Sequence, residues 1–292
     1  MKRRVFISVT LISILVLSVC PIWGGDTAEQ KYNGVYGAGD QSITLATGSP
    51  GALGLLKAVA EPFCKANNCR VNWIKKGSGA SLKAMKEGKV DLVMVHAPAA
   101  EKEAVKEGWA TMRTLLGSNE FYIVGPASDP AGISKAGKAK EAYAMIAEAK
   151  AKFFSRGDNS GTHKKEMMIW KLAGINPSGS WYIITKDFMG PTLMRADKEE
   201  GYFMTDSSTY YVKQSKIKNL KILFKGDPIL VNVYHALVAS PEKYPKANYT
   251  LASKFVNFMS SFEGQKIFGE YGKAKYGTAI YNDAEYAKKW EK

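Results

Sequence analysis

The sequence predicts an α/β protein of two doubly wound, Rossmann-like lobes joined by a two-strand hinge. Segments typical of strands and helices alternate along most of the 292-residue chain, which favours parallel pairing within a sheet. The length exceeds that of a usual single domain, and a hydrophobic content of 46% is enough for two cores. Two strongly apolar strand-like segments, 121–126 and 229–239, lie far apart in the sequence.

Short polar turns follow the first three predicted strands. Ligands of doubly wound sheets lie beyond the carboxyl ends of the strands, so we expect these turns to meet at one edge. These strands are predicted at 42–46, 70–75 and 90–95, and the turns at 47–51, 76–79 and 96–98. Helices are predicted at 52–65, with a kink at Pro62, and at 80–87.

The two apolar segments are predicted to form the hinge, at 121–126 and 229–234. Lobe 1 then comprises residues 40–121 plus 235–292, and lobe 2 comprises residues 122–234. Both lobes contribute loops to one cleft, which is the geometry of hinge closure around a ligand. The later elements are predicted as helices at 135–152, 190–200, 248–261 and 263–271, and as strands at 181–185, 202–205 and 220–224.

The segment 155–163 reads SRGDNSGTH and lies between a short apolar strand and a helix-like stretch, 164–173. Glycines allow close approach of the backbone, the hydroxyl groups donate hydrogen bonds, and Arg156 adds charge. The N–H groups at a helix start hold an anion without a metal. The alternative is an ordinary capped helix with Asp158 or Ser160 as the N-cap.

Residues 1–25 are predicted to be a signal peptide, because basic residues precede an apolar stretch too short to span a bilayer comfortably. A membrane anchor is the alternative. Val19 stands before Cys20 where lipoproteins usually have a small residue, so lipid anchoring is not expected. We therefore expect a periplasmic protein.

The chain is basic, with a formal net charge of +14, which the loss of Lys2, Arg3 and Arg4 with the signal peptide lowers to +11. The lysines are scattered, so we expect no nucleic-acid partner; a general positive field would draw small anions. Cys64 and Cys69 are predicted to pair as a disulfide in an oxidising compartment. No metal site or cofactor is expected.

An enzymatic alternative is a hydrolase using Ser160 and His163, with Asp158 nearby. Their spacing and the lack of a G-x-S-x-G motif argue against it. His96, His163 and His235 are too dispersed for a recognisable metal motif. We therefore expect that the protein is not an enzyme.

Several spaced motifs occur in the same order as in a known family. They are VHAP at 95–98, IVGP at 123–126, DPAG at 129–132, and SRGDNSGTH at 155–163 followed by KKE at 164–166 and Trp170. Shorter matches at 77–79, 205–206, 226–228 and 263–265 extend the similarity over about residues 42–270. In these motifs the chain resembles the TupA family of periplasmic tungstate-binding proteins of ABC transporters.

The resemblance implies a type II periplasmic binding protein that closes on tungstate or molybdate and passes it to a membrane permease. It also implies a set of ligand-binding residues, with a monomer as the expected state. Carried over from the family's motifs, these are Thr47, Ser49, Ser78, Arg156 and Thr162, and the neighbouring candidates are His96, Ser160 and Gly161.

The first turn departs from the family pattern, which usually reads Thr-Thr-Thr-Ser with an acidic extension. Here it is Thr47-Gly48-Ser49-Pro50-Gly51, one residue shorter, and Ser207 stands where an arginine is expected. These departures imply a lower affinity or a different anion. Phosphate is the main alternative, since it keeps a proton that a carboxylate such as Asp158 accepts.

Overall fold

The computed structural model describes residues 31–291. The predicted signal peptide, 1–25, lies outside the described residues. Among the residues described, no helix is both long enough and apolar enough to cross a membrane.

Ten strands and twelve α-helices form the described part of the chain. The strands are β1 (Gly34–Tyr36), β2 (Gln41–Thr47), β3 (Cys69–Lys75), β4 (Leu92–Val95), β5 (Ala110–Pro126), β6 (Phe153–Ser155), β7 (Tyr182–Ile184), β8 (Tyr202–Asp206), β9 (Leu220–Phe224) and β10 (Val231–Ala239). The helices are α1 (Ser49–Ala52), α2 (Leu55–Asn67), α3 (Ser78–Lys86), α4 (Pro98–Lys106), α5 (Ala139–Glu148), α6 (Gly161–Leu172), α7 (Met189–Glu199), α8 (Ser207–Lys213), α9 (Tyr249–Ser260), α10 (Phe262–Glu270), α11 (Lys273–Tyr276) and α12 (Ala284–Lys288).

The strands follow the order β1-β3-β2-β4-β10-β5-β8-β6-β7, and β9 also pairs with β5. Strand β2 is parallel to β3 and β4, and β6 is parallel to β7 and β8, as the alternation of strands and helices predicts. Strand β10 is antiparallel to both β4 and β5, because β5 carries the chain out of lobe 1 and β10 brings it back. The predicted fold class is confirmed, with these antiparallel strands at the centre.

The hinge lies where strand β5 changes partner. Up to Glu120 it pairs with β10, and from Phe121 onward it pairs with β8. The return crossing enters β10 through a short 3-10 helix, Pro228–Leu230. The buried residues of one hydrophobic cluster all lie within 121–230. The buried residues of two other clusters all lie before residue 121 or after residue 230. The lobe boundaries themselves stay a prediction.

An aromatic cluster in lobe 2 fixes the strand that precedes the SRGD motif. The ring of Trp170 on α6 lies 4.4 Å from that of Tyr143 on α5 and 5.2 Å from that of Phe153 on β6, measured between centroids. All three residues are fully buried. Strand β6 and helix α6 are therefore held together, and the turn between them is presented at the sheet edge.

The region before β3 differs from the sequence prediction in two ways. The short helix α1 forms where the turn 47–51 is predicted, and the helix predicted at 52–65 begins only at Leu55, after Gly54, whose φ of +93° suits glycine; Pro62 lies inside α2. Cys64 and Cys69 are buried with free thiols, so the predicted disulfide is not formed in this structure. The thiols are hydrogen-bond neighbours, and burial raises the pKa of Cys64 to about 12.

Candidate functional site

A cavity of about 190 Å³ lies between the two lobes. It is formed by the segments at the carboxyl ends of β2, β3, β4, β6 and β7, where the fold class places ligands. The three turns that the sequence singles out all reach it. The lining residues are Thr47, Gly48, Ser49, Pro50, Ala52, Leu53, Lys75, Gly77, Ser78, Met94, His96, Arg156, Ser160, Phe188, Met189, Gly190, Pro191, Thr209, Lys213 and Tyr234.

Several helices begin at this cavity. Helix α3 starts at Ser78 in lobe 1, and in lobe 2 the N-cap Ser160 of α6 and the N-cap Phe188 of α7 both line the cavity. The first N–H groups of a helix have no partner within it and carry partial positive charge. Convergence of helix starts from both lobes makes the cavity suitable for an anion.

The SRGDNSGTH segment forms both an N-cap and one wall of the cavity. Ser160 is the N-cap of α6, and its hydroxyl oxygen accepts a hydrogen bond from the His163 N–H at 3.3 Å. The proton of that hydroxyl remains available to a ligand. The two interpretations of this segment are therefore compatible, since capping uses only the lone pair of Ser160.

Arg156 is 4% exposed and is held by three partners in lobe 2. Its Nη2 atom donates to Asp158 at 2.5 Å, its Nε atom donates to the carbonyl of Asp187 at 3.2 Å, and its Nη1 atom lies 3.5 Å from the hydroxyl oxygen of Thr162. Asp158 also accepts the Ser160 N–H, so that amide is already used. The guanidinium is thus oriented before any ligand arrives.

Ser78 and His96 join two turns of lobe 1. The hydroxyl oxygen of Ser78 accepts the His96 N–H at 3.2 Å, which leaves its proton free to donate. Burial, together with the nearby positive charge of Arg156, lowers the pKa of His96 to about 3. The imidazole is therefore neutral at physiological pH, and its Nδ1 atom is buried without a hydrogen-bond partner among the described residues.

The first turn offers fewer donors than the family pattern. Thr47 lines the cavity, but its hydroxyl donates to the carbonyl of Met94 at 2.8 Å, so its proton is committed inside lobe 1. Ser49 lies at the start of α1 and is half-buried beside the cavity. Of these two predicted ligand residues, only Ser49 is placed to donate through its side chain.

Gly161 and Thr162 are not among the lining residues but lie directly behind them. A Cβ atom at Gly161 would stand 2.4 Å from the His96 ring, and one at Gly79 would stand 2.6 Å from the carbonyl oxygen of Asn159. Both approaches join lobe 1 to lobe 2. The structure therefore has the lobes in contact around the cavity, and glycine is what permits that contact.

Sequence reasoning missed Lys75, Phe188, Thr209, Lys213 and Tyr234. The Nζ atom of Lys75 lies 4.2 Å from the centre of the Phe188 ring, a contact between lobe 1 and lobe 2. Lys75 is the last residue of β3, next to the turn at 76–79, and Phe188 is the N-cap of α7, so the rule that drew attention to the earlier turns could have found them. Lys213 ends α8, and no sequence pattern marks it.

No carboxylate is among the described residues that line the cavity. Asp158 pairs with Arg156, and Asp206 accepts hydrogen bonds from the N–H and hydroxyl of Thr209. Within residues 31–291, no group of three or more His, Cys, Asp or Glu side chains could hold a metal ion. The cavity presents donors and cations, which suits an anion that carries no proton.

These features define a two-lobed binding protein with an anion site in the interlobe cleft. Residues 34–263 match the PBP superfamily domain. The tungstate-binding protein TupA of Peptoclostridium acidaminophilum is 34% identical over 284 residues, covering 96% of this chain and 98% of that protein. The chain belongs to the TupA family of the periplasmic-binding-protein superfamily.

Two solved structures agree with this assignment. A structure of the tungstate ABC transporter from Geobacter sulfurreducens is 40% identical, with a TM-score of 0.73 over 80% of this chain and 100% of that chain. The tungstate-binding protein TupA from Desulfovibrio alaskensis is 39% identical, with a TM-score of 0.70 over 83% of this chain and 98% of that chain.

Proposed function

We propose that this protein captures tungstate or molybdate as a fully ionised oxyanion in the interlobe cavity and delivers it to the permease of an ABC transporter. The observation that carries the proposal is a cavity that both lobes enclose, lined by hydroxyl groups, helix starts and cations. Among the described residues, no carboxylate lines it. Relatives named for tungstate binding support it.

Ser49, Ser78 and Ser160 would donate hydroxyl protons to the anion, and the N–H groups at the helix starts would add backbone hydrogen bonds. Arg156 would supply the oriented guanidinium, and the neutral His96 would donate from Nδ1 in the tautomer that carries its proton there. Thr47, Gly161 and Thr162 would support these donors from behind. The protein would work in the periplasm as a monomer, without a cofactor.

Phosphate is less well suited to this cavity. Phosphate still carries a proton at neutral pH, and a pocket that selects it needs an acceptor facing the ligand. Asp158 is the candidate acceptor, but both its oxygens accept hydrogen bonds within the turn, from Arg156 and from the Ser160 N–H.

Hydrolysis by Ser160 and His163 also lacks support. The hydroxyl oxygen of Ser160 accepts from the backbone N–H of His163, and the Nδ1 atom of that ring accepts from the Asn159 N–H at 3.1 Å. An activated serine needs a ring nitrogen that accepts its proton. We therefore propose a binding protein and not an enzyme.

Calorimetric titration of the mature protein with tungstate, molybdate, sulfate and phosphate at neutral pH tests the proposal. We expect saturable one-to-one binding of tungstate or molybdate, and weak or absent binding of phosphate. Tight phosphate binding without a tungstate response would overturn the assignment, and so would the lack of any response to all four anions.

A further inference from the structure

The charged groups around the cavity fall into a neutralised pair and two lysines. The guanidinium of Arg156 forms an ion pair with Asp158 at 2.5 Å, so together the two residues bring no net charge to a ligand. His96 is neutral because burial lowers its pKa to about 3. Net positive charge at the lining must therefore come from other residues.

Lys75 and Lys213 both line the cavity, and they come from different lobes. Lys75 ends strand β3 in lobe 1, and Lys213 ends helix α8 in lobe 2. Neither forms an ion pair with any residue of the described range. The ring of Phe188 in lobe 2 lies 4.2 Å from the Lys75 Nζ atom and holds this cation against the cleft.

We propose that Lys75 and Lys213 are the charge-selecting residues of the site, so that the cavity prefers a tetrahedral dianion to a monoanion of similar size. This inference rests on the proposed function and goes beyond it by identifying the source of charge discrimination. Arg156 is then an oriented hydrogen-bond donor, while the two lysines balance the two charges of the ligand.

Electrostatics also links these lysines to closure. Moving a dianion from water into a small cavity requires compensating charge, because desolvation is costly. Two cations on opposite lobes repel each other when the cleft closes without a ligand. A dianion between them attracts both, and this attraction exceeds the repulsion. A monoanion attracts the two lysines less strongly, so it stabilises the closed cleft less.

The test compares tungstate with perrhenate, a tetrahedral oxyanion of similar size and a single charge. The wild-type protein and the variants Lys75→Met, Lys213→Met and the double variant are titrated with both anions at one fixed salt concentration. Matched controls are Lys76→Met, next to Lys75 and outside the lining, and Lys216→Met, just beyond α8. Denaturation in urea checks that each variant is folded.

We expect each single variant to weaken tungstate binding by about tenfold, the effect of one partly screened charge. Perrhenate binding should change by less than about threefold, and the controls should leave both affinities near the wild-type values. Lys75→Arg and Lys213→Arg should keep the discrimination, since they keep the charge.

Three results would overturn or redirect the inference. Equal losses for tungstate and perrhenate would show a general field and no selection by charge. Unchanged tungstate binding in the double variant would remove the lysines from the site while leaving the proposed function intact. A wild-type protein that binds no oxyanion would contradict the proposed function itself.

Discussion

The Nη2 atom of Arg156 lies 2.5 Å from the Oδ2 atom of Asp158, within the turn that precedes α6. The other nitrogens of the guanidinium face the carbonyl of Asp187 and the hydroxyl of Thr162. A planar guanidinium fixed on three sides presents its remaining donor surface in one orientation. Its expected contribution to binding is therefore the geometry of its donors.

Arg156→Lys should weaken tungstate binding by about tenfold or more, because an ammonium keeps the charge but loses the fork of donors. Calorimetric titration measures this change. Arg195→Lys is the matched control, since its guanidinium pairs with Glu199 on the surface of the same lobe. An Arg156→Lys variant that is folded and binds as tightly as the wild type would place Arg156 outside the site.

Ser78→Ala is predicted to weaken binding and Thr47→Val to weaken stability, although both residues line the cavity. The Ser78 proton is free, so its loss should lower tungstate affinity by about tenfold. The Thr47 hydroxyl donates its proton to the Met94 carbonyl. Loss of this hydrogen bond should lower the free energy of unfolding by about 1–2 kcal/mol and change tungstate affinity by less than about threefold. Titration and urea denaturation separate the two outcomes.

Ser81→Ala is the control for Ser78→Ala. Ser81 lies one turn further along α3, is fully buried, and donates to the carbonyl of Lys76 outside the cavity. Its substitution should affect stability alone. If Thr47→Val abolished binding in a stable protein, the Thr47 hydroxyl would have to turn toward the ligand.

Gly161→Ala should prevent full closure of the lobes, because the new methyl group would stand 2.4 Å from the His96 ring. Small-angle scattering with saturating tungstate should show a larger radius of gyration than that of the liganded wild type. Gly137→Ala, whose methyl group would have its nearest neighbour at 3.4 Å, is the control. A variant that compacts like the wild type would show that the lobes need not approach this closely.

Glu166 lies behind the site motif, where its carboxylate accepts hydrogen bonds from Tyr182 at 2.6 Å, Ser155 at 2.9 Å and Trp170 at 3.3 Å. Burial raises its pKa from 4.5 to about 7 despite these donors. Between these values the folded protein binds the proton more tightly than the unfolded chain does. The stability from this group is present below about pH 4.5 and is lost as pH rises through 7.

Glu166→Gln should therefore remove one part of the pH dependence of unfolding. In urea denaturation, the free energy of the wild type relative to the variant should rise by up to about 3 kcal/mol between pH 8 and pH 4.5. The comparison cancels the other titrating groups, which both proteins share. A difference that does not vary with pH would show that Glu166 is not protonated in this range.

Much of the fold could be predicted from local patterns. The strand at 220–224 is observed where it is predicted, and the helix predicted at 135–152 forms over Ala139–Glu148. The part of β5 before Phe121 was missed because it contains Arg113, Ser118 and Glu120 between apolar residues. Its place at the centre of the sheet depends on pairing with β10, more than a hundred residues later.

In the site, too, local patterns predict some residues, and others depend on the tertiary fold. Polar turns after apolar strands placed Ser78 and His96 at one sheet edge, with Ser160 facing them from the other lobe, and all three line the cavity. Which acceptor a hydroxyl group donates to depends on atomic positions that no sequence pattern encodes. The hydrogen bond from the Thr47 hydroxyl to the Met94 carbonyl is an example. Lys213 was missed for a similar reason, since only the tertiary fold brings the end of α8 to the cavity.

The most direct test is a crystal structure of the mature protein with tungstate, with data collected at an absorption edge of tungsten. We expect one anomalous peak in the interlobe cavity, within hydrogen-bond distance of the hydroxyl oxygens of Ser78 and Ser160. A peak elsewhere on the protein, or an empty cavity in crystals grown with saturating tungstate, would contradict it.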